Sequence, residues 1–236
     1  MSIFFEPSRT DSYKLFDRIA FRYDIFNRVS SLGLDVFWRR KLALHLKDKN
    51  NLKVLDVASG TGEVLLSLFK NKCDVSHAVG IDASAEMLAI ARGKLSAYKV
   101  DLLQADAVNL PFADNEFDAA TCAFGVRNFT DFTAAIKQML RILKPGGRLL
   151  ILEFSLPRNR IIKRLYLFYL RYIIPLLGKI IVGDIAAYRY LSNTIQTFPS
   201  GDDFCRQVRN AGFKEVSAVS LTFGVVTLYS ATKYLE

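Results

Sequence analysis

The stretch VLDVASGTGEV, residues 54–64, decides the fold. Apolar residues flank Asp56, small residues and two glycines follow, and then a second apolar run begins. A strand that turns through small residues into a helix is the entry loop of a nucleotide-binding α/β domain, because a backbone with little side chain lets a ligand come close. The dinucleotide fingerprint G-x-G-x-x-G/A is the first register to test. Read from Gly60, its third position falls on Leu65; read from Ala58, on Glu63. Neither completes it. The loop instead reads Asp56-x-Ala58-x-Gly60-x-Gly62, an acidic residue followed by small ones at alternating positions.

The pattern outward from this loop alternates. Residues 53–57 read as a short buried strand and 63–69 as a helix. SHAVGID closes a second strand at Asp82, and Ser84 is placed to cap a helix running to about Ala97, with Glu86 in its first turn. KVDLLQAD is a third strand, EFDAATCAFG a fourth and RLLILEFS a fifth. Before the fifth, Asp131 opens a helix on which Phe132, Ala135, Ile136, Met139, Leu140 and Leu143 recur at helical spacing, and KPGG ends it. This order predicts an α/β fold with a mostly parallel, doubly wound sheet. Ligands then bind beyond the carboxyl ends of the strands, at residues 58–62, Asp82, Asp106, 124–128 and 153–155. The tail FKEVSAVSLTFGVVTLYSATK predicts a terminal antiparallel hairpin.

One domain over 1–236 is expected, with an N-terminal helical lid (1–50), a cofactor-binding core (51–155), a helical insertion (156–200) and a C-terminal helix and hairpin (201–236). Within the insertion, IIKRLYLFYLRYIIPLLGKIIVG is strongly apolar but carries Lys163, Arg164, Arg171, Lys179 and Pro175. Central charges are costly in a spanning helix, so this is not a transmembrane segment. It reads either as a pair of core-packing helices or as an amphipathic cap that covers an apolar substrate or rests on a membrane. The two readings are compatible.

The net charge of +9 suits an anionic partner or a solvated basic surface. Three scattered cysteines indicate a reducing compartment, and MSIFFEPSRTDSYK has no signal-peptide pattern, so a cytoplasmic protein is expected. Cys73 and His77 lack a second ligand pair, so no metal is expected. Neither His45 nor His77 lies beside a motif. No nucleic-acid-binding module is present, which weighs against an RNA substrate.

The loop resembles the first motif of class I S-adenosylmethionine-dependent methyltransferases, with Ala58 where glycine is more usual. YDIFNRVSSLGLDVFWRR (23–40), FGVRNFTD (124–131) and RILKPGGRLLILEFS (141–155) together resemble the C-methyltransferases of ubiquinone and menaquinone biosynthesis. AYRYLSNTIQTFPSGDDF and NAGF extend the likeness over nearly the whole chain. Three positions depart from it: Phe26 replaces a frequent methionine, Glu63 an aspartate and Ala123 a serine.

The resemblance implies a Rossmann-like class I methyltransferase fold with an added helical cap. It implies S-adenosyl-L-methionine as methyl donor, held by Asp56, Ala58, Gly60, Thr61, Gly62, Asp82, Asp106 and Ala107. A helix N-terminus suits the methionine carboxylate, Asp82 the ribose hydroxyls, and Asp106 with Ala107 the adenine edge. The implied reaction is methylation of a ring carbon on a reduced polyprenyl quinone. Length and pattern are closest to the menaquinone type, with the benzoquinol of the ubiquinone route as the alternative. Arg127 is the candidate cation for a phenolate, Asn128 a ring-orienting group, Glu153 a partner of Arg127, and Tyr23, Asp24 and Asn27 a closing lid that relays the proton. Attachment to an anionic membrane at the inner face of the cytoplasmic membrane is expected, and a homo-oligomer is compatible with this reading. The rival of another class is a non-catalytic Rossmann domain that senses a nucleotide.

Overall fold

The computed structural model describes residues 12–234. The first residues of the expected lid, and with them most of MSIFFEPSRTDSYK, lie outside the described residues. Seven strands form one sheet: β1 (Leu52–Val57), β2 (Val75–Asp82), β3 (Val100–Gln104), β4 (Phe117–Ala123), β5 (Leu143–Phe154), β6 (Lys214–Leu221) and β7 (Val226–Thr232). Their order is β3-β2-β1-β4-β5-β7-β6, with β1 to β5 parallel and β7 antiparallel to both neighbours. The chain winds outward from β1 to β3, then returns to place β4 beside β1. A crevice therefore opens at the carboxyl ends of β1 and β4.

In the expected hairpin it is β7 rather than β6 that lies beside β5, and the composition of the two strands says why. β7, almost wholly buried, takes the inner place, while the serine-bearing and mostly exposed β6 takes the edge. Helices cover both faces. On one, α5 (Phe132–Ile142) and α9 (Asp202–Asn210) bury Ile136, Met139 and Phe204 against Phe117 and Phe213. On the other, α2 (Leu34–Leu44), α3 (Glu63–Lys70) and α4 (Ala85–Lys94) bury Trp38, Leu42, Leu65, Leu68 and Ala91. Ser84 and Asp131 cap α4 and α5 as expected, each accepting a backbone N–H three residues on.

Two boundaries differ from expectation. α4 ends at Lys94, short of Ala97. α5 ends at Ile142, and Leu143 already pairs with Phe117 in β5. KPGG lies inside the span of β5 rather than after a longer helix: Pro145 offers no ladder N–H, Gly146 turns at φ 75°, and the register shifts before Ala119 meets Arg148.

A separate helical layer stands over the crevice. It comprises α1 (Ser12–Ser30), α6 (Arg160–Phe168), α7 (Ile174–Ile181) and α8 (Ile185–Thr197), packed through Leu15, Ile19, Phe26, Leu170 and Ile174. The apolar stretch 161–183 forms the helix pair α6 and α7, and α8 follows it within the insertion. α6 and α7 form one rod bridged by a π turn at Tyr169–Ile173, where the Ile174 N–H reaches the Tyr169 carbonyl. Pro175 accounts for the widening, since its ring lacks an N–H and crowds the carbonyl of Arg171. The rod presents Tyr166, Leu170 and Ile174 inward, and Ile161, Leu165, Phe168, Tyr172, Leu176 and Ile180 outward and exposed. Among the described residues no helix is long and apolar enough to cross a membrane.

Candidate active site

Two cavities meet at the crevice. The first is lined by Ala58, Gly60, Asp82, Asp106 and Ala107 from the strand ends, by Phe124, Gly125 and Asn128 after β4, and by Phe16 and Tyr23 from α1. Its geometry is set by the opening loop. Asp82 Oδ2 accepts the Gly60 N–H at 2.8 Å and Oδ1 the Ser84 N–H at 2.9 Å, fixing the carboxylate at the strand end. Burial raises the Asp82 carboxyl above its ordinary range, against the pull of those amides. Ala58 and Gly60 both hold positive φ, and open space stands where a Gly60 Cβ would be. Gly125 is there for close approach: a Cβ would sit 2.6 Å from that of Ala58 and 3.0 Å from Cys122 Sγ.

This cleft fits a nucleoside with a charged tail. Asp82 keeps lone pairs that a ribose could use, Ile81, Met87 and Phe129 give the cleft apolar walls, and the exposed Asp106 also lines it. Other expected binders lie outside the lining. Asp56 is fully buried under the loop, accepting the Thr121 hydroxyl at 2.6 Å, and burial pushes its carboxyl up to about 7. It anchors the loop from below. Gly62 serves by its φ of 81° and by packing against Leu95. Thr61 is buried and gives its hydroxyl to Asp24 Oδ1 at 2.7 Å.

That contact also places Asp24. It pairs with Lys94, which binds Glu63 Oε1 at 2.7 Å, so Asp24 ties α1 to the loop and to α4 and lines neither cavity. Asp17 makes a parallel tie, accepting the Ser84 hydroxyl at 2.5 Å. Sequence reasoning missed Lys94 and Asp17, because nothing in a contiguous motif signals a contact between distant helices.

The second cavity lies between the helical layer and the sheet. Leu15, Ile19, Phe26, Trp38, Leu170 and Ile174 give it an apolar body, and Tyr23, Asn27, Arg127 and Asn128 give it a polar end. Phe16, Tyr23, Phe124 and Asn128 line both cavities and so form the wall between them. Burial raises the Tyr23 phenol, partly offset by the positive charge of Arg127. Arg127, 3% exposed, binds Glu153 Oε1 at 2.8 Å and the Phe124 carbonyl, while its Nε meets no partner. Glu153 is fully buried, does not line the cavity, and also accepts the N–H groups of Arg127 and Phe154. It therefore orients Arg127. Of the aromatics on the rod, Tyr169 lines the cavity, whereas the Phe168 and Tyr172 rings pack on each other on the outer face.

The chain matches the ubiE/COQ5 methyltransferase family over residues 7–233. It belongs to that family. It is 40% identical to a ubiquinone/menaquinone biosynthesis C-methyltransferase of Geotalea daltonii, over 93% of this chain and 95% of the relative. A demethylmenaquinone methyltransferase of Thermus thermophilus is 42% identical, over 91% of this chain and 98% of the relative. Among solved structures, a methyltransferase of Thermotoga maritima superposes with a TM-score of 0.64 at 21% identity, covering 94% of this chain and 99% of its own. One from Aquifex aeolicus gives 0.60 at 19%, covering 84% and 91%. The chain is an S-adenosylmethionine-dependent C-methyltransferase with the class I fold.

When bound, S-adenosylmethionine supplies an electrophilic methyl group. Asp82 and the loop backbone would hold its nucleoside end, leaving the wall of Phe16, Tyr23, Phe124 and Asn128 as the face across which the acceptor must be aligned. The mainly apolar lining of the second cavity would shield that face from water once the acceptor fills it.

Proposed function

We propose that this C-methyltransferase of quinone biosynthesis methylates a ring carbon of demethylmenaquinol, giving menaquinol. The observation that carries the reading is a mainly apolar cavity, with the buried Arg127 in its lining, that shares a wall with the donor cleft. Relatives bearing the demethylmenaquinone methyltransferase name, in Bacteroides fragilis and Thermus thermophilus, support it. Membership of a methyltransferase family leaves the nucleotide-sensing alternative without support.

The nucleophilic carbon lies beside a ring hydroxyl, and losing that proton enriches the carbon with electrons. A phenol titrates near pH ~10 and a plain carboxylate near ~4, so a carboxylate alone is a poorly matched base. Arg127, held by Glu153, stabilises the phenolate instead. Tyr23 and Asn27 of α1 close the site beside it, and Asn128 orients the ring. Asp106 and Ala107 take the adenine edge of the donor, and Asp56, Thr61 and Gly62 shape the loop that binds its tail.

The isoprenoid tail runs between α1 and the α6–α7 rod, whose outer faces carry the exposed stripes Phe21, Ile25, Val29 and Leu32, and Ile161 to Ile180. Arg22, Lys163, Arg164, Arg171 and Lys179 are exposed along these helices. Cations near anionic lipid contribute about 1 kcal/mol each, so this face rests on the inner leaflet of the cytoplasmic membrane.

The test offers reduced demethylmenaquinone and the reduced benzoquinone precursor in equal amounts with S-adenosylmethionine, and reads the products by mass spectrometry. Methylated naphthoquinol is expected. Methylation of the benzoquinol alone moves the assignment to the ubiquinone route, and methylation of neither removes the quinol. Flotation with anionic vesicles checks the membrane face, which a protein left at the bottom of the gradient would contradict.

A further inference from the structure

Two hydroxyls in the second cavity are unused by this scheme. Tyr166 of α6 and Tyr188 of α8 line it at 8% and 3% exposure, and neither hydroxyl has a hydrogen-bond partner. An unpartnered buried hydroxyl costs stability, and phenylalanine would fill the same space without that cost. Yet the fold fixes both rings. The Tyr188 ring lies over Gly178, where a Cβ would come 1.9 Å from Cδ2, and against Phe26 with centroids 3.9 Å apart. Tyr166 shares its inward ridge with Leu170 and Ile174 and stacks on Tyr169, whose hydroxyl is tied to the Ser30 carbonyl.

Burial raises both phenols, so each stays protonated and can donate as well as accept. Their electrostatic surroundings differ: Tyr166 feels Arg127 and Glu153, and Tyr188 feels Tyr23 and Asp184. Arg127 Nε can only donate, whereas a ring oxygen that carries its own proton also needs an acceptor.

We propose that Tyr166 and Tyr188 hold the two ring hydroxyls of the substrate and so set the plane and depth of the ring against the wall to the donor cleft. The inference rests on the quinol reading above.

The test uses the full chain with Tyr166→Phe and Tyr188→Phe, a short-chain prenylated demethylnaphthoquinol, and two analogues that each lack one ring hydroxyl. In the unliganded protein each substitution removes an unsatisfied group, so Tm rises by about 2–4 °C. The KM for the full quinol rises by about 2–10-fold, the worth of one neutral hydrogen bond, with a smaller change in kcat. Wild type discriminates against both analogues, and each variant loses discrimination against the analogue that lacks its own hydroxyl. Unchanged KM with undiminished discrimination overturns the proposal, as does a lowered Tm, which would mark the hydroxyls as structural. Failure of the wild type to methylate the full quinol while it still binds S-adenosylmethionine overturns the quinol reading, and this proposal with it. That result needs no variant, so the two failures are told apart.

Discussion

The two cavities are built in opposite ways. The donor cleft is largely backbone: positive-φ residues in one loop, amides on Asp82, and a glycine that permits Ala58 and Gly125 to touch. The acceptor cavity is side chain, drawn from Leu15 in α1 to Val225 beyond β6, with Arg127 and the buried Asp35–Arg39 pair in its lining. A cleft made of backbone tolerates changes elsewhere and fails when a turn is filled. A cavity made of converging side chains fails when one packed partner is lost.

The comparison breaks most visibly at Arg127. Arg127→Met leaves the fully buried Glu153 uncompensated, which costs about 3–5 kcal/mol of stability in a denaturant titration. Adding Glu153→Gln should recover most of that stability. The double variant should still lose ~10²–10³ in quinol turnover while calorimetry finds donor affinity unchanged. Turnover within a few-fold of wild type would reduce the pair to a structural one.

A pair of glycines sharpens the contrast. Gly178→Ala drives a methyl into the Tyr188 ring, and Gly125→Ala drives one into Ala58 and Cys122. Overpacking of this kind costs about 1–3 kcal/mol in either place. The functional losses should separate: Gly178→Ala loses quinol and keeps the donor, and Gly125→Ala loses the donor. Equal loss of both ligands in both variants would mean that the cavities fold as one unit.

The same contrast explains what the sequence disclosed. VLDVASGTGEV, Asp82, Asp106 and FGVRN are contiguous or fall at strand ends, so spacing alone places them at the crevice. The strand–helix alternation follows from the same local signals, as do the caps at Ser84 and Asp131. Phe26 and Tyr188 fall in stretches that resemble the family and Tyr166 reads as an apolar helix position, but their meeting is not legible, because what joins them is the packing of three separate helices. The π turn and the inner place of β7 have local sources in Pro175 and in the serines of β6, but neither residue type names the resulting geometry by itself. Asp56 was visible as part of a motif, but its depth under the loop was not.

That depth has a pH signature. Asp56 titrates at about 7 in the folded chain and near ~4 when unfolded, so the folded state binds its proton more tightly. Its contribution to stability is full below pH ~4 and is lost as pH rises to about 7, with a slope of at most ~1.4 kcal/mol per unit. Asp56→Asn keeps an oxygen for the Thr121 hydroxyl and abolishes the titration. Relative to wild type, the variant should gain stability steadily across that window in urea melts and hold the gain above it. A difference that is flat with pH would mean that Asp56 stays ionised beneath the loop.

The smallest effect belongs to Asp24, and it tests whether the lid touches the chemistry. Asp24 is partly exposed, as is its partner Lys94, so the pair contributes within ~1 kcal/mol. Its ties run to Thr61 and the helix end, away from the acceptor cavity. Asp24→Asn should therefore leave saturated quinol turnover near wild type while donor release, followed by stopped flow, becomes faster as α1 loosens from the loop. High salt should mimic the variant in the wild-type protein, because exposed pairs are screened. A large loss of turnover with donor exchange unchanged would instead bring Asp24 back to the proton relay, and would require α1 to shift its register over the cleft when both ligands bind.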